Sequence, residues 1–312
     1  MRYLKLLMAG LLLALPVLAT ADSKDLPGSA VWYFHIDLDE MRKNGPGQGV
    51  YDWLRDEAFT DIKNDAGVDL DKELDSLTAF SLEDAGPVIV FEGKFSQETK
   101  DKVMTFVAAD GDITPLKSSG KTYYHFSGND EDESLSLSGG DIEIDIESLE
   151  DEAWVSLALK NKILVTGSEE QMQGLLANNG KIAGANSHKG ALLVLSAEKT
   201  MLQAGMNSAA MGDDGDSDWN SNILRNTEQV AFLMAAAADK LALEARLITT
   251  EPEMAESLAS VVRGLVSLMA FSDEMDEEMV AVLQGTRVVA SGNSLSISLA
   301  LDPALVVRTL GE

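Results

Sequence analysis

Leu77-Thr78-Ala79-Phe80, a turn holding Gly86-Pro87, and Val88-Ile89-Val90-Phe91-Glu92-Gly93-Lys94-Phe95 form the stretch that decides the fold. Apolar runs rich in β-branched and aromatic residues, on either side of a Gly-Pro turn, are a hairpin signal. The same order returns as Gln229-Val230-Ala231-Phe232 followed by Leu241-Ala242-Leu243-Glu244-Ala245-Arg246-Leu247. Phe232 lies 152 residues after Phe80 and Glu244 lies 152 residues after Glu92, so the two blocks align without a gap. Self-similarity at a fixed offset is the mark of an internal repeat. The repeat bears on one ambiguous segment, Phe232-Leu233-Met234 with the four alanines that follow, which propensity alone assigns to helix. Its counterpart leads through Gly86-Pro87 into a strand, so residues 230–236 and 240–248 are read as paired strands, with a helix as the open alternative.

Outward from these hairpins the spacing predicts a helix over residues 97–108 and another over 253–271. In the longer one Met254, Leu258, Val261, Val262, Leu265 and Leu268 recur at helical spacing as one apolar face. Thr250 and Glu253 have the spacing of a capping box at its start. Further helices are expected over 51–63, with Trp53, Leu54, Phe59 and Ile62 for packing, and over 273–283, with Met275, Met279 and Val282 facing inward. Residues 31–36 open the first unit and 191–195 the second, and residues 120–126 correspond to 285–291. Residues 154–159 and 163–166 add two strands to the first unit, and 294–301 close the second. Antiparallel strands alternating with amphipathic helices imply an α+β fold. It comprises two homologous units, 22–185 and 186–312, each a mainly antiparallel sheet with helices packed on one face. Two stretches fall outside the repeat. Residues 127–151 form an acidic insertion with Asp130-Glu131-Asp132-Glu133 and a strand-like alternation from Ile142 to Glu147, and residues 205–222 form a loop rich in Met, Gly and Asp.

The N-terminus reads as an export signal. Arg2 and Lys5 precede an apolar stretch over residues 6–18, and Ala19-Thr20-Ala21 supplies the small residues that signal peptidase requires. Cleavage places the mature start at Asp22, in the periplasm or outside the cell. No cysteine lies near that junction, and none occurs anywhere in the 312 residues, which excludes disulfides, thiolate metal sites and cysteine nucleophiles. No second apolar run qualifies as a membrane span: residues 252–271 come nearest but contain Glu253, Glu256 and Arg263. The formal charge is −28, and loss of Arg2 and Lys5 makes the mature chain more acidic still. Such a field repels nucleic acid and anionic headgroups and favours cations, cationic peptides or a basic protein partner.

Residues with catalytic potential do not converge. His35, His125 and His188 share no metal-ligand spacing; the first two sit in apolar strands beside aromatics and read as packing residues. Ser118-x-x-Lys121 and Ser196-x-x-Lys199 match an acyl-transfer spacing without its supporting motifs. With 52 acidic residues, carboxylate pairs discriminate nothing, so a glycosidase-like hydrolase stays an alternative that only the fold can test. Asp214, Asp216 and Asp218 alternate like the first ligands of a calcium loop, but Trp219 stands where Gly is needed and Arg225 where a bidentate Glu belongs. They are retained as a candidate weak Ca2+ site. Met201, Met206 and Met211 recur with a spacing that suits neither a helix face nor a strand face. Glu92 with Lys94, and Glu244 with Arg246, are two apart on their strands and predict an exposed ion pair in each unit.

The repeated strand–helix blocks, the strand end Glu92-Gly93-Lys94-Phe95 and the closing Leu283-Gln284-Gly285-Thr286 with Ser294-Leu295-Ser296-Ile297-Ser298-Leu299 resemble uncharacterised exported bacterial α+β proteins. That resemblance implies a bacterial envelope setting and transfers no functional residue. The expectation is a non-enzymatic exported protein with a binding or scaffolding role.

Overall fold

The computed structural model describes residues 30–82, 85–109, 111–128, 136–139, 142–145, 152–182, 190–202, 225–271, 275 and 277–310. The chain divides into two compact units, Ser23–Lys43 with Gln48–Ser187, and His188–Glu312 with Asn44–Gly47.

The first unit carries strands β1 (Ala30–Asp37), β2 (Leu74–Leu82), β3 (Gly86–Gly93), β4 (Gly111–Ser118), β5 (Lys121–Gly128), β8 (Glu152–Ser156) and β9 (Lys162–Thr166). Their order in the sheet is β1-β2-β3-β9-β8-β5-β4, and every neighbouring pair is antiparallel. A short ribbon of β6 (Ser136–Gly139) and β7 (Ile142–Asp145) stands apart from that sheet. Between β1 and β2 the chain forms α1 (Leu38–Lys43), α2 (Gly45–Leu54), a π-helical turn (Arg55–Phe59), α3 (Thr60–Ala66) and α4 (Leu70–Glu73). The single helix expected over 51–63 is therefore two helices joined by a π turn, and its buried anchors are Val50 and Tyr51. Arg42 of α1 fastens this segment by donating to the carbonyls of Leu38, Asp71 and Leu74, with its guanidinium over the Tyr51 ring.

Helix α5 (Gln97–Ala109) follows β3, and α6 (Glu169–Ala177) follows β9. The Ser168 side chain caps α6 by accepting from the Gln171 amide, and Met172, Leu175 and Leu176 are its buried side chains. Val90, Leu164, Ser156 and Tyr123, on the sheet face toward α6, are essentially sealed from solvent. Tyr123 donates to the Glu169 carboxylate at 2.5 Å, which ties β5 to the start of the helix. The opposite face holds Ile89, Phe126 and Ala153, with Leu77, Phe91 and Val165 packed around them.

The second unit has strands β10 (Ala191–Glu198), β11 (Thr227–Ala237), β12 (Lys240–Thr249), β13 (Arg287–Ser291) and β14 (Ser294–Leu301), ordered β10-β11-β12-β14-β13 and antiparallel throughout. The alanine-rich stretch from Phe232 is thus a strand: cross-strand pairing from Thr227 to Ala237 along β12 outweighs its helical propensity. Helices α7 (Pro252–Ala270), α8 (Glu277–Gly285) and α9 (Pro303–Leu310) complete the unit. The alternation of buried Leu295, Ile297, Leu299 and Leu301 with half-buried neighbours shows one covered face on β14, against which α7 and α8 lie.

Both units share an order of three successive strands, a helix, and a last strand that pairs with the third. By sheet position β9 matches β14 and β8 matches β13, since each lies one and two places beyond the third strand. The expected equivalence of 120–126 with 285–291 is therefore not one of sheet position. Residues 121–128 are β5, one place farther out, and the β4–β5 hairpin is what the first unit adds. The capping box expected at Thr250 and Glu253 is also not formed. Pro252 begins α7, Glu251 is its N-cap without a side-chain hydrogen bond, and the preceding Thr249 hydroxyl donates to carbonyls of Glu251 and Asn293 instead.

Glycine is required at Gly93, the residue inside the Glu-Gly-Lys-Phe strand end. Leu74 pairs with Gly93 and Ser76 with Glu92, so Asp75 is the extra residue of a β-bulge. The bulge brings the Glu73 carbonyl so close that a Cβ on Gly93 would sit 1.9 Å from its oxygen.

Candidate binding surface

Among the described residues, several of the polar groups singled out in the sequence are engaged structurally. His35 on β1 is half-buried, with Nδ1 2.9 Å from the Thr78 hydroxyl on the neighbouring strand. Burial lowers its pKa, opposed by the carboxylates of Asp37 and Glu92. His125 on β5 stacks on its cross-strand neighbour Trp154 with ring centroids 4.9 Å apart. Its Nε2 is 3.7 Å from the Glu152 carboxylate and makes no hydrogen bond. The two described histidines are thus on different strand pairs and build no common site, and His188 lies outside the described residues. Lys121 donates to the Leu176 carbonyl, and Lys199 pairs with Glu228, so both Ser-x-x-Lys lysines are engaged elsewhere.

The ion pairs differ from expectation in the first unit. Glu92 pairs not with Lys94 but with Lys162, its register partner on β9, and Lys162 also donates to the Gly180 carbonyl. Lys94 instead donates its amide to the Glu73 carbonyl. In the second unit Glu244 and Arg246 do meet, at 3.2 Å, but both are largely buried rather than exposed. Asp69 is held below the ordinary carboxylate range by hydrogen bonds from Lys72 and Lys63, and Glu98 by Lys102. That direction is the reverse of what a desolvated general acid requires.

Asp214, Asp216 and Asp218 lie outside the described residues, as do Met206, Met211 and Asp130 to Glu133. Among the described residues no group of three or more His, Asp or Glu side chains is placed to hold a metal ion. No described helix is long and apolar enough to cross a membrane.

What does converge is an open apolar face on α7. Pro252 at N1 starts the helix with its φ already fixed, and no helix-breaking residue follows it before Gly264. The face turned to the sheet is built from Ala255, Leu258, Ala259 and Val266, all buried, with Met254 and Val262 at its margins. The small side chains of Ala255 and Ala259, both fully sealed, let the helix axis approach the strands. This sets the helix's rotation, and it overturns part of the six-residue core face expected from spacing. Met254, Leu258 and Val262 face inward, whereas Val261 is 42% exposed, Leu265 48% and Leu268 72%. These three follow one another at i, i+4 and i+7 and so form a single stripe. Phe271, directly after the helix, is 87% exposed and prolongs it.

The surroundings of the stripe are polar on one side only. Ser257, Ser260 and Ser267 bend their hydroxyls back to carbonyls four residues earlier, so they offer little to a partner. Arg263 is the sole cation of α7, and its guanidinium donates to the Val288 carbonyl. That bond covers one backbone acceptor on β13, the outer strand of this unit. Glu253 and Glu256 on α7, and Glu277 and Glu278 at the start of α8, are exposed. None of the four meets a cation among the described residues.

No protein-family model and no curated protein matches this chain. Solved structures that align with it include crystal forms III, IV and I of TP0453, at 11%, 12% and 12% identity with TM-scores of 0.43, 0.45 and 0.43. Each covers 94% of this chain, and 99%, 98% and 97% of the other. Similarity at that level assigns neither a family nor a function.

Proposed function

We propose that this is an exported, non-enzymatic binding protein of the bacterial envelope, and that the outward face of α7 is its contact surface. One observation carries the reading: Val261, Leu265 and Leu268, continued by Phe271 just past the helix end, form an apolar stripe beside the face of α7 that serves the core. Scattered apolar residues on a surface need no explanation, but aligned ones rimmed by polar groups mark interaction sites. Leu268 and Phe271 lie mostly open to solvent, so the sequence bears their solubility cost with little folding return. The exported setting rests on the N-terminal pattern of Arg2, Lys5, the apolar run and Ala19-Thr20-Ala21.

The test is comparative capture from an envelope extract, using the purified chain and the triple variant Leu265→Ser, Leu268→Ser, Phe271→Ser. The reading expects a saturable partner that the unaltered chain retains and the variant loses. Equal capture by both, together with turnover of any substrate by the unaltered chain, would overturn it in favour of a hydrolase.

A further inference from the structure

We infer that the partner presents a cationic amphipathic helix: apolar residues at helical spacing to meet the α7 stripe, bordered by Lys or Arg to meet the carboxylates around it. The inference rests on the binding role proposed for that face and names its occupant.

Charge decides among the candidates. The stripe itself carries no ionised group. Before its N-terminal end stands the exposed Glu253, with the exposed Glu256 farther round the helix. Beyond its C-terminal end the exposed Glu277 and Glu278 open α8, which packs against α7. Arg263, the one cation on the helix, is spent on the Val288 carbonyl. An apolar strip on a helix with exposed acid before it, at Glu253, and on the next helix, at Glu277 and Glu278, is complementary to an apolar strip flanked by base, and such complementarity sets partner choice and encounter rate. A second copy of this chain would bring acid against acid, on a molecule whose net charge is already −28. An anionic bilayer surface fails for the same reason. Helices that lie in a bilayer interface carry Lys and Arg on the polar face, and α7 has only the engaged Arg263. Helix-in-groove and helix-on-helix recognition both use anchors at i, i+3 or i+4, and i+7, which is the spacing that Val261, Leu265 and Leu268 offer.

The experiment uses the full mature chain and three fluorescein-labelled 18-residue peptides. One has Leu at helical spacing with Lys on its flanks, one has the same Leu with Glu in place of Lys, and one has the cationic composition scrambled to destroy the apolar stripe. Binding is read by anisotropy at about 150 mM salt, where distant charges are screened over roughly 8 Å. The expected result is that the cationic amphipathic peptide binds at least tenfold more tightly than the other two. Leu265→Ser with Leu268→Ser should weaken it at least tenfold, and the four-fold variant Glu253→Gln, Glu256→Gln, Glu277→Gln, Glu278→Gln several-fold. A control that neutralises four acids elsewhere, Glu57→Gln, Asp61→Asn, Glu98→Gln and Asp101→Asn, should leave it within twofold. Equal binding of the cationic and anionic amphipathic peptides, with loss in the Leu variant, overturns the charge assignment while leaving the apolar face as a binding surface. Equal binding of the scrambled peptide, or no effect of the Leu variant, overturns both. Attachment to phosphatidylglycerol vesicles that outcompetes the cationic peptide would make the occupant a bilayer and refute the inference.

Discussion

Replacing Gly93 by Ala should damage the fold by an amount that follows from the local geometry. The added Cβ would lie 1.9 Å from the Glu73 carbonyl oxygen and 3.0 and 3.1 Å from the Glu73 carbon and the Asp75 nitrogen. All three are backbone atoms, so no side-chain rotation relieves the contact. Ordinary separation of carbon from oxygen requires the strand ends to part by roughly 1 Å, which a close-packed interior accommodates poorly. That movement strains the bond from the Lys94 amide to the Glu73 carbonyl, 2.8 Å long, and the one from Gly93 to the Asn161 carbonyl, 2.9 Å. It also shifts the Leu74 carbonyl on which Arg42 closes. Two weakened hydrogen bonds cost about 1 kcal/mol each. Overpacking beside the buried Leu74 adds about 1–3 kcal/mol, so the total is about 3–5 kcal/mol. For a chain of this size that lowers Tm by roughly 6–20 °C. Thermal unfolding by circular dichroism measures it, with Gly174→Ala as the control. Gly174 has nothing within 4 Å of a built Cβ and lies inside α6, so Ala there should raise stability by about 0.5–1 kcal/mol. A Gly93→Ala protein melting within 2 °C of the parent would refute the account of the bulge.

Other expectations concern the turn, the pH response and the surface. Ala238 occupies the β11–β12 turn at φ 55°, a left-handed conformation that costs a residue with a Cβ about 1 kcal/mol, so Ala238→Gly should raise Tm by roughly 2–4 °C. Burial holds the His35 pKa below 6.5, so the unfolded chain takes up the proton first as pH falls. The neutral ring's contribution to stability is complete above about pH 6.5 and lost as pH drops from there toward the folded-state pKa. The Tm difference between the parent and His35→Gln should therefore shift against the parent between pH 7.5 and 5, and parallel pH curves would contradict this. Leu268→Ser and Phe271→Ser should leave Tm within about 2 °C, since exposed substitutions stay within about 0.5 kcal/mol. A large loss would show that these side chains serve the fold. Expression of the full chain in a bacterial host should yield a mature protein whose N-terminal residue, read by intact mass, is Asp22.

The strand framework was legible because its signals are local. The runs around Phe80 and Phe232 sit beside their own turns, and their alignment told strand from helix where the alanine run misled. The partners that lie far away in sequence were not legible. Glu92 meets Lys162 only because β9 is inserted next to β3, and nothing near Glu92 announces it. The position of the β4–β5 hairpin at the outer side of its sheet has the same cause. The surface on α7 was missed for a different reason. Its apolar arc is wider than one core contact needs, so Leu258 and Leu265 fall into one periodic set although only the first is buried. Ala255 and Ala259 held the clue: small residues at i and i+4 mark the side on which a helix approaches a sheet most closely.

The central claim is that the stripe from Val261 to Phe271 is where this protein meets its partner. Photocrosslinking in the producing cell tests it directly, with benzoylphenylalanine placed at Leu268 or Phe271 and, as controls, at the exposed Thr114 and Lys117 of β4. A discrete, light-dependent adduct from Leu268 and Phe271, and none from the β4 positions, is the predicted result. Adducts from β4 with none from either α7 position would contradict it.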